Sequence, residues 1–175
     1  VNEYKGIAAV CWHWSVPSEE GSDERNFYVK SASANYTTFS ISKALEEGTW
    51  EHEVLMADIE EIAKQLKKLK DADAPILWRP LHEAEGAWFW WGAEGPEPCK
   101  KLYRLLYDQL TNVYGIDNLI WVWTGYTYPT SSEWYPGDDV VDIVGYDKYN
   151  AKDGLPNLSS ISSTFYSLVQ STEGQ

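Results

Sequence analysis

Cysteine, methionine and histidine are scarce in this 175-residue chain, with two, one and three copies respectively. Cys11 and Cys99 are too few for a disulfide framework, and neither stands in a CxxC or Cys/His spacing. His13, His52 and His82 show no ligand spacing either, so no metal and no other cofactor is expected. Long apolar runs are missing: no stretch approaches the roughly 18 residues of a membrane span, and no signal peptide opens the chain at Val1. Basic residues number 14 against 27 acidic ones, a formal net charge of −13, with no basic stripe anywhere. That balance excludes nucleic acid, anionic membrane and polyanionic sugar as partners and suits a neutral ligand. No internal repeat or low-complexity segment occurs.

Aromatic residues are abundant, with ten tryptophans and twelve tyrosines. A core absorbs some of them, but this much tryptophan in loop-like contexts points to a stacking surface. The length fits one domain spanning 1–175, long enough to bury a sizeable core.

Hydrophobic periodicity gives the element order. Gly6 to Trp12 is almost continuously apolar and suits a parallel strand covered on both faces, with Cys11 as a small buried hydrophobe. Ser18 to Gly48 is polar and mixed and is expected to be a long irregular insertion. Leu55, Ile59, Ile62, Leu66 and Leu69 recur at helical spacing within a helix over Val54 to Lys70. Pro75 to Leu81 is a second strand. A helix over Glu97 to Tyr114 follows, with Leu102, Leu105, Leu106, Leu110 and Val113 as its inner face and Gly115 as its stop. Strands over Leu119 to Trp123 and Val140 to Gly145 and a last helix over Ser160 to Ser171 complete the pattern. Apolar strands alternating with amphipathic helices predict an α/β fold with parallel pairing. The loops after the strands, containing His13-Trp14, His82-Glu83, Gly125-Tyr126 and Tyr146-Asp147-Lys148-Tyr149, then converge on one face.

The densest chemistry lies in Trp78-Arg79-Pro80-Leu81-His82-Glu83, followed by Ala84-Glu85-Gly86-Ala87-Trp88-Phe89-Trp90-Trp91. A carboxyl group held against low-dielectric aromatic surface has its neutral form favoured, which suits it to protonate a departing oxygen. Flat C–H faces of sugars stack on indole rings. Arg79, next to a buried tryptophan, needs a carboxylate partner. Glu85, in a Gly-Trp loop, reads as solvent-exposed.

Together with Cys11-Trp12-His13-Trp14, Asn118 to Trp123 and Gly145-Tyr146-Asp147-Lys148-Tyr149, that segment resembles glycoside hydrolase family 26, with the flavour of its bacterial endo-β-1,4-mannanases. The resemblance runs from about Gly6 to Tyr149. It implies a (β/α)8 TIM barrel of which this chain covers strands 3 to 6 with their helices, and a retaining hydrolase of mannan, glucomannan or galactomannan. Glu83 would be the general acid/base, His82 a hydrogen-bonding group of the catalytic subsite, His13 a lining residue on its glycone side and Trp88 a stacking platform. Asp147 and Tyr149 match the family's Asp-x-Tyr after strand 6. Trp14 and Tyr126 join the expected sugar-binding set, Arg79 supports an acidic active-site group, and at least one of Trp121 and Trp123 packs inside the barrel.

One departure matters. The family's nucleophile glutamate follows strand 7, and after Tyr149 only Asp153 and Glu173 remain, both in polar, loop-like sequence. A full barrel also takes about 250 residues. The chain therefore reads as a partial catalytic domain, inactive alone, whose open edges call for the missing barrel segments or another chain. The expected partner is a neutral β-linked polysaccharide, and the expected location is extracellular, the signal peptide lying outside this chain. Mixed-linkage glucan or xylan is the alternative substrate, and a catalytically incomplete carbohydrate-binding unit the alternative of another class.

Overall fold

The computed structural model describes residues 6–147 and 158–172. In chain order its elements are β1 (Ala8–Cys11), β2 (Val16–Pro17), β3 (Arg25–Asn26), α1 (Ile41–Ala44), α2 (Trp50–Asp71), β4 (Ile76–Arg79), α3 (Pro96–Tyr107), β5 (Leu119–Thr124), β6 (Ile143–Gly145) and α4 (Leu158–Thr172). β1, β4, β5 and β6 form one parallel sheet in that spatial order, matching four consecutive strands of a barrel. Such sequential parallel neighbours arise from repeated right-handed crossovers.

α2 starts at a threonine cap: the Thr49 side chain accepts from the His52 backbone N–H, and Glu51 and Glu53 occupy the first turn. Lys68 and Lys70 occupy the last, so both helix ends carry the charge that opposes their dipole. The helix begins four residues earlier than its leucine periodicity indicates, because the cap and acidic turn carry no apolar signal. α3 opens on Pro96, whose fixed φ suits a first helical turn.

Side chains alternate across the sheet. Ile76, Trp78, Leu119, Trp121 and Trp123 join one buried cluster with Leu55, Ile59 and Leu66 of α2 and Leu102, Tyr103 and Leu106 of α3. Trp121 and Trp123 both pack edge-on to Tyr103. Neither therefore enters a barrel interior; both residues have the parity of the helix-covered face. Val113 also departs from expectation and is 61% exposed. The chain widens into a π turn over Asp108–Val113, which rotates the apolar stripe off its helical register.

The opposite sheet face carries Ala9, Leu77 and Ile120 in one cross-strand row and Cys11 beside Arg79 in the next. Ile143 on this face is 44% exposed. Parallel sheets are normally covered on both sides, and here helices cover one. Polar groups collect at the carboxyl ends of the strands, where Cys11, Arg79 and Thr124 sit. Cys11 is exposed, not buried as its apolar neighbours imply, because its parity puts it on this open face. Among the described residues no helix is long and apolar enough to cross a membrane.

Candidate active site

The segment after β4 leaves the sheet through two left-handed turns. Leu81 and Glu83 have φ of 53° and 55°, a conformation that costs a side-chain-bearing residue about 1–3 kcal/mol and gathers at functional sites. Local bonds hold it there. The Glu83 and Ala84 carbonyls accept from Gly86 and Ala87, and the His82 carbonyl accepts from Trp91 Nε1 at 3.0 Å. Gly92 permits the closest approach: a Cβ there would meet the Ala84 carbonyl oxygen at 2.0 Å.

The long insertion before α2 has a structural task. Val29 N donates to the Trp88 carbonyl and Trp90 N to the Phe27 carbonyl, so Phe27–Val29 lies antiparallel to Trp88–Trp90 as a short strap. Tyr28 stacks on Phe89 with centroids 5.3 Å apart. The adjacent Phe27-Tyr28 pair marks an apolar contact in an otherwise polar stretch, without indicating its partner.

A cleft of about 450 Å³ opens between the strap and the strand ends, lined by His13, Tyr28, Ala32, His82, Glu83, Trp88 and Phe89. Four of the sequence-selected residues thus meet: Glu83, His82, His13 and Trp88. Glu83 is 8% exposed and His82 4%. Burial, then the neighbouring His13 and Arg79 charges, lower the His82 pKa to about 4, so the ring is neutral at physiological pH. His13 is exposed and meets His82 edge-on, centroids 4.4 Å apart. The half-buried Trp88 ring occupies the space that a side chain at Gly86 would need, where a Cβ would come within 2.1 Å of its carbons. Tyr126 stands 6.4 Å from Trp88 and 5.8 Å from Tyr146, extending an aromatic wall beyond the cleft.

Arg79 finds the carboxylate its position demands. Its Nη1 donates to both Asp147 oxygens at 2.8 Å and to Thr124 Oγ1 at 3.1 Å. Burial disfavours the guanidinium charge, but the Asp147 hydrogen bond and charge outweigh it and hold Arg79 ionised. Asp147 is thereby engaged as a counter-ion at the strand ends, which also disfavours it as an attacking nucleophile.

Several expectations need correction. Trp14 is 1% exposed, donates from Nε1 to Asp58 and stacks on Trp12, so it offers no face to a ligand. Its neighbour His13 has opposite parity and takes the cleft. Glu85 is not a free surface carboxylate: it accepts from Tyr126 N at 2.7 Å and from the Ser131 hydroxyl, tying the β4 loop to the β5 loop. Sequence spacing gives no metal-ligating set, yet Cys11, His13 and His82 converge, because the β1–β4 register sets Cys11 beside Arg79. Tyr149 lies outside the described residues, as do Asp153 and Glu173.

Known proteins resemble this chain in sequence and fold. The model of the family described as glycosyl hydrolase family 26 matches residues 2–175. A mannan endo-1,4-beta-mannosidase of Thermothelomyces thermophilus is 47% identical over 153 residues, covering 87% of this chain and 31% of that protein. A solved β-mannanase from a symbiotic protist of the termite Reticulitermes speratus, complexed with gluco-manno-oligosaccharide, superposes with a TM-score of 0.84 at 39% identity, over 95% of this chain and 50% of that one. A ruminal GH26 endo-β-1,4-mannanase gives a TM-score of 0.86 at 36% identity, over 98% and 40% respectively. The chain thus spans 31% of the length of that curated relative and half or less of those structures.

Proposed function

The chain belongs to glycosyl hydrolase family 26, and on that premise we propose that it forms part of the catalytic domain of an endo-acting enzyme that cleaves β-1,4-mannosidic links with retention. One observation carries the reading: a buried carboxyl group, Glu83, shares a cleft at the ends of parallel strands with two histidines and a tryptophan face. In this mechanism the Glu83 proton passes to the glycosidic oxygen as the C1–O bond breaks. A second carboxylate, about 5–5.5 Å away, attacks C1 from the opposite face. Glu83, now ionised, then takes a proton from the water that releases the sugar. The second carboxylate is assigned to segments beyond the residues described here, since Asp147 is held by Arg79.

His82, neutral and fixed through its backbone, and exposed His13 suit hydrogen bonds to sugar hydroxyls. Trp88 suits a pyranose face, and Tyr126 with Tyr149 extends the sugar-binding set. Arg79 positions Asp147. A polysaccharide substrate, too large to enter a cell, implies action outside it.

The reading is tested on the full-length protein with mannan, glucomannan, lichenan and xylan, following the first-formed product anomer by NMR. The expected result is fastest cleavage of mannan with initial β-anomer. Cleavage of xylan or lichenan in preference to mannan, or initial α-anomer, would sink it.

A second expectation concerns Trp88. Trp88→Ala should weaken mannooligosaccharide binding by roughly 1–3 kcal/mol, by analogy with other aromatic stacking surfaces, while the melting temperature changes little. Gly86→Ala should reproduce part of the loss, because its Cβ would displace the ring. Unaltered affinity in Trp88→Ala with a large fall in melting temperature would move that side chain from the cleft to the core.

A further inference from the structure

Three potential metal donors lie at the carboxyl ends of β1 and β4. Cys11 ends β1 on the open sheet face, His13 follows two residues later, and His82 lies three residues beyond β4. Cys11 Sγ stands 3.1 Å from His82 Nδ1, and one donor atom of each residue lies within 4.8 Å of the others. We propose that Cys11, His13 and His82 form a binding site for a borderline-soft divalent cation of the zinc type, at the mouth of the cleft beside Glu83.

The donor set selects the metal class. One thiolate with two imidazoles suits Zn²⁺ or Co²⁺ and is a poor match for Mg²⁺ or Ca²⁺, which take oxygen ligands. Zn–S and Zn–N bonds of about 2.3 and 2.0–2.1 Å put the donors of a tetrahedral site about 3.4–3.6 Å apart. The present spacings bracket that range, and His13, being exposed, is the partner that moves. Three protein ligands leave a fourth position for water. The nearest fixed cation does not repel the metal strongly, since Arg79 is neutralised by Asp147. On binding, the Cys11 thiol releases its proton to solvent and its sulfur lone pair forms the metal bond.

The site itself stands on donor geometry alone. Its consequence rests on the sugar-cleft reading: His13 and His82 line the cleft, so the bound cation displaces substrate and inhibits competitively.

Cobalt titration of the full-length protein, cleared of metal by a chelator, tests the site without reference to activity. The expected result is saturation at one equivalent, with tetrahedral d–d bands and a thiolate-to-cobalt charge-transfer band. Cys11→Ser should abolish the charge-transfer band. His13→Ala should keep it but weaken Co²⁺ by at least about tenfold, the loss that even an outer-shell partner causes. Circular dichroism of both variants guards against misfolding. Absence of the thiolate band, or its persistence in Cys11→Ser, overturns the site. Zn²⁺ inhibition of mannan hydrolysis that is competitive and lost in Cys11→Ser supports the consequence. Cobalt binding with the thiolate band but non-competitive inhibition leaves the metal site standing and counts against the sugar-cleft reading.

Discussion

Glu83→Ala in the full-length enzyme is expected to lower turnover of mannan by about 10²–10⁴-fold, the usual worth of a positioned general acid. The departing sugar hydroxyl is a poor leaving group and needs the proton that Glu83 supplies. A dinitrophenyl glycoside does not, so its glycosylation step should survive in the variant. Its slow step becomes release of the glycosyl-enzyme, because no base remains to activate water; added azide, which needs no base, should accelerate that step. Glu83 is nearly buried and holds a left-handed backbone, so truncation could also unsettle the loop. Glu83→Gln separates the two effects: it keeps the side-chain volume and removes the titratable proton. Steady-state rates on both substrates, with melting temperatures alongside, decide the matter. Turnover of mannan by Glu83→Gln within a few-fold of wild type would exclude Glu83 as the acid.

The parallel layers were legible in the sequence because apolar periodicity encodes what a strand or helix must bury. Leu55, Ile59 and Leu66 on α2, Leu102 and Leu106 on α3, and Leu110 in the π turn after it are in the core for that reason. The sequential sheet order followed from the family resemblance, and the convergence of Glu83, His82, His13 and Trp88 followed from parallel strands. What escaped the sequence depends on the third dimension. Nothing local in Phe27-Tyr28-Val29 announces pairing with Trp88–Trp90, since that contact closes a loop of some sixty residues. Cys11 lies among apolar neighbours that suggest burial, and only its parity on a sheet with one uncovered face exposes it. Glu85 reads as exposed beside glycine and alanine, whereas two donors from the β5 loop claim its oxygens. Trp14 and His13 are adjacent in sequence and opposite in role because alternate side chains leave the chain on opposite sides.

Parity does not sort the Trp-Phe-Trp-Trp run, since Trp88 and Trp90 are two residues apart; their packing does, and it gives the largest expected effect on stability. Trp88 reaches the cleft, whereas Trp90 is wholly buried and donates from Nε1 to the Trp14 carbonyl at 2.7 Å. Phe39 and Trp14 meet the Trp90 ring at 4.9 and 5.1 Å. Trp90→Ala therefore removes a large ring from a close-packed cluster and leaves the Trp14 carbonyl without its donor. Truncating a core tryptophan costs about 3–5 kcal/mol, and the orphaned acceptor adds about 1 kcal/mol or more. The strap bond from the Trp90 backbone N–H to the Phe27 carbonyl beside the cleft wall is kept in the alanine variant. Urea unfolding followed by far-ultraviolet circular dichroism should show the midpoint of Trp90→Ala falling steeply, with Trp90→Phe intermediate because it keeps a ring but not the N–H. Sugar affinity of the fraction that stays folded should be little changed, in contrast to Trp88→Ala. A Trp90→Ala variant whose stability lies within about 0.5 kcal/mol of wild type, the range of an ordinary surface substitution, would place this tryptophan outside the core and reverse the assignment of the two rings.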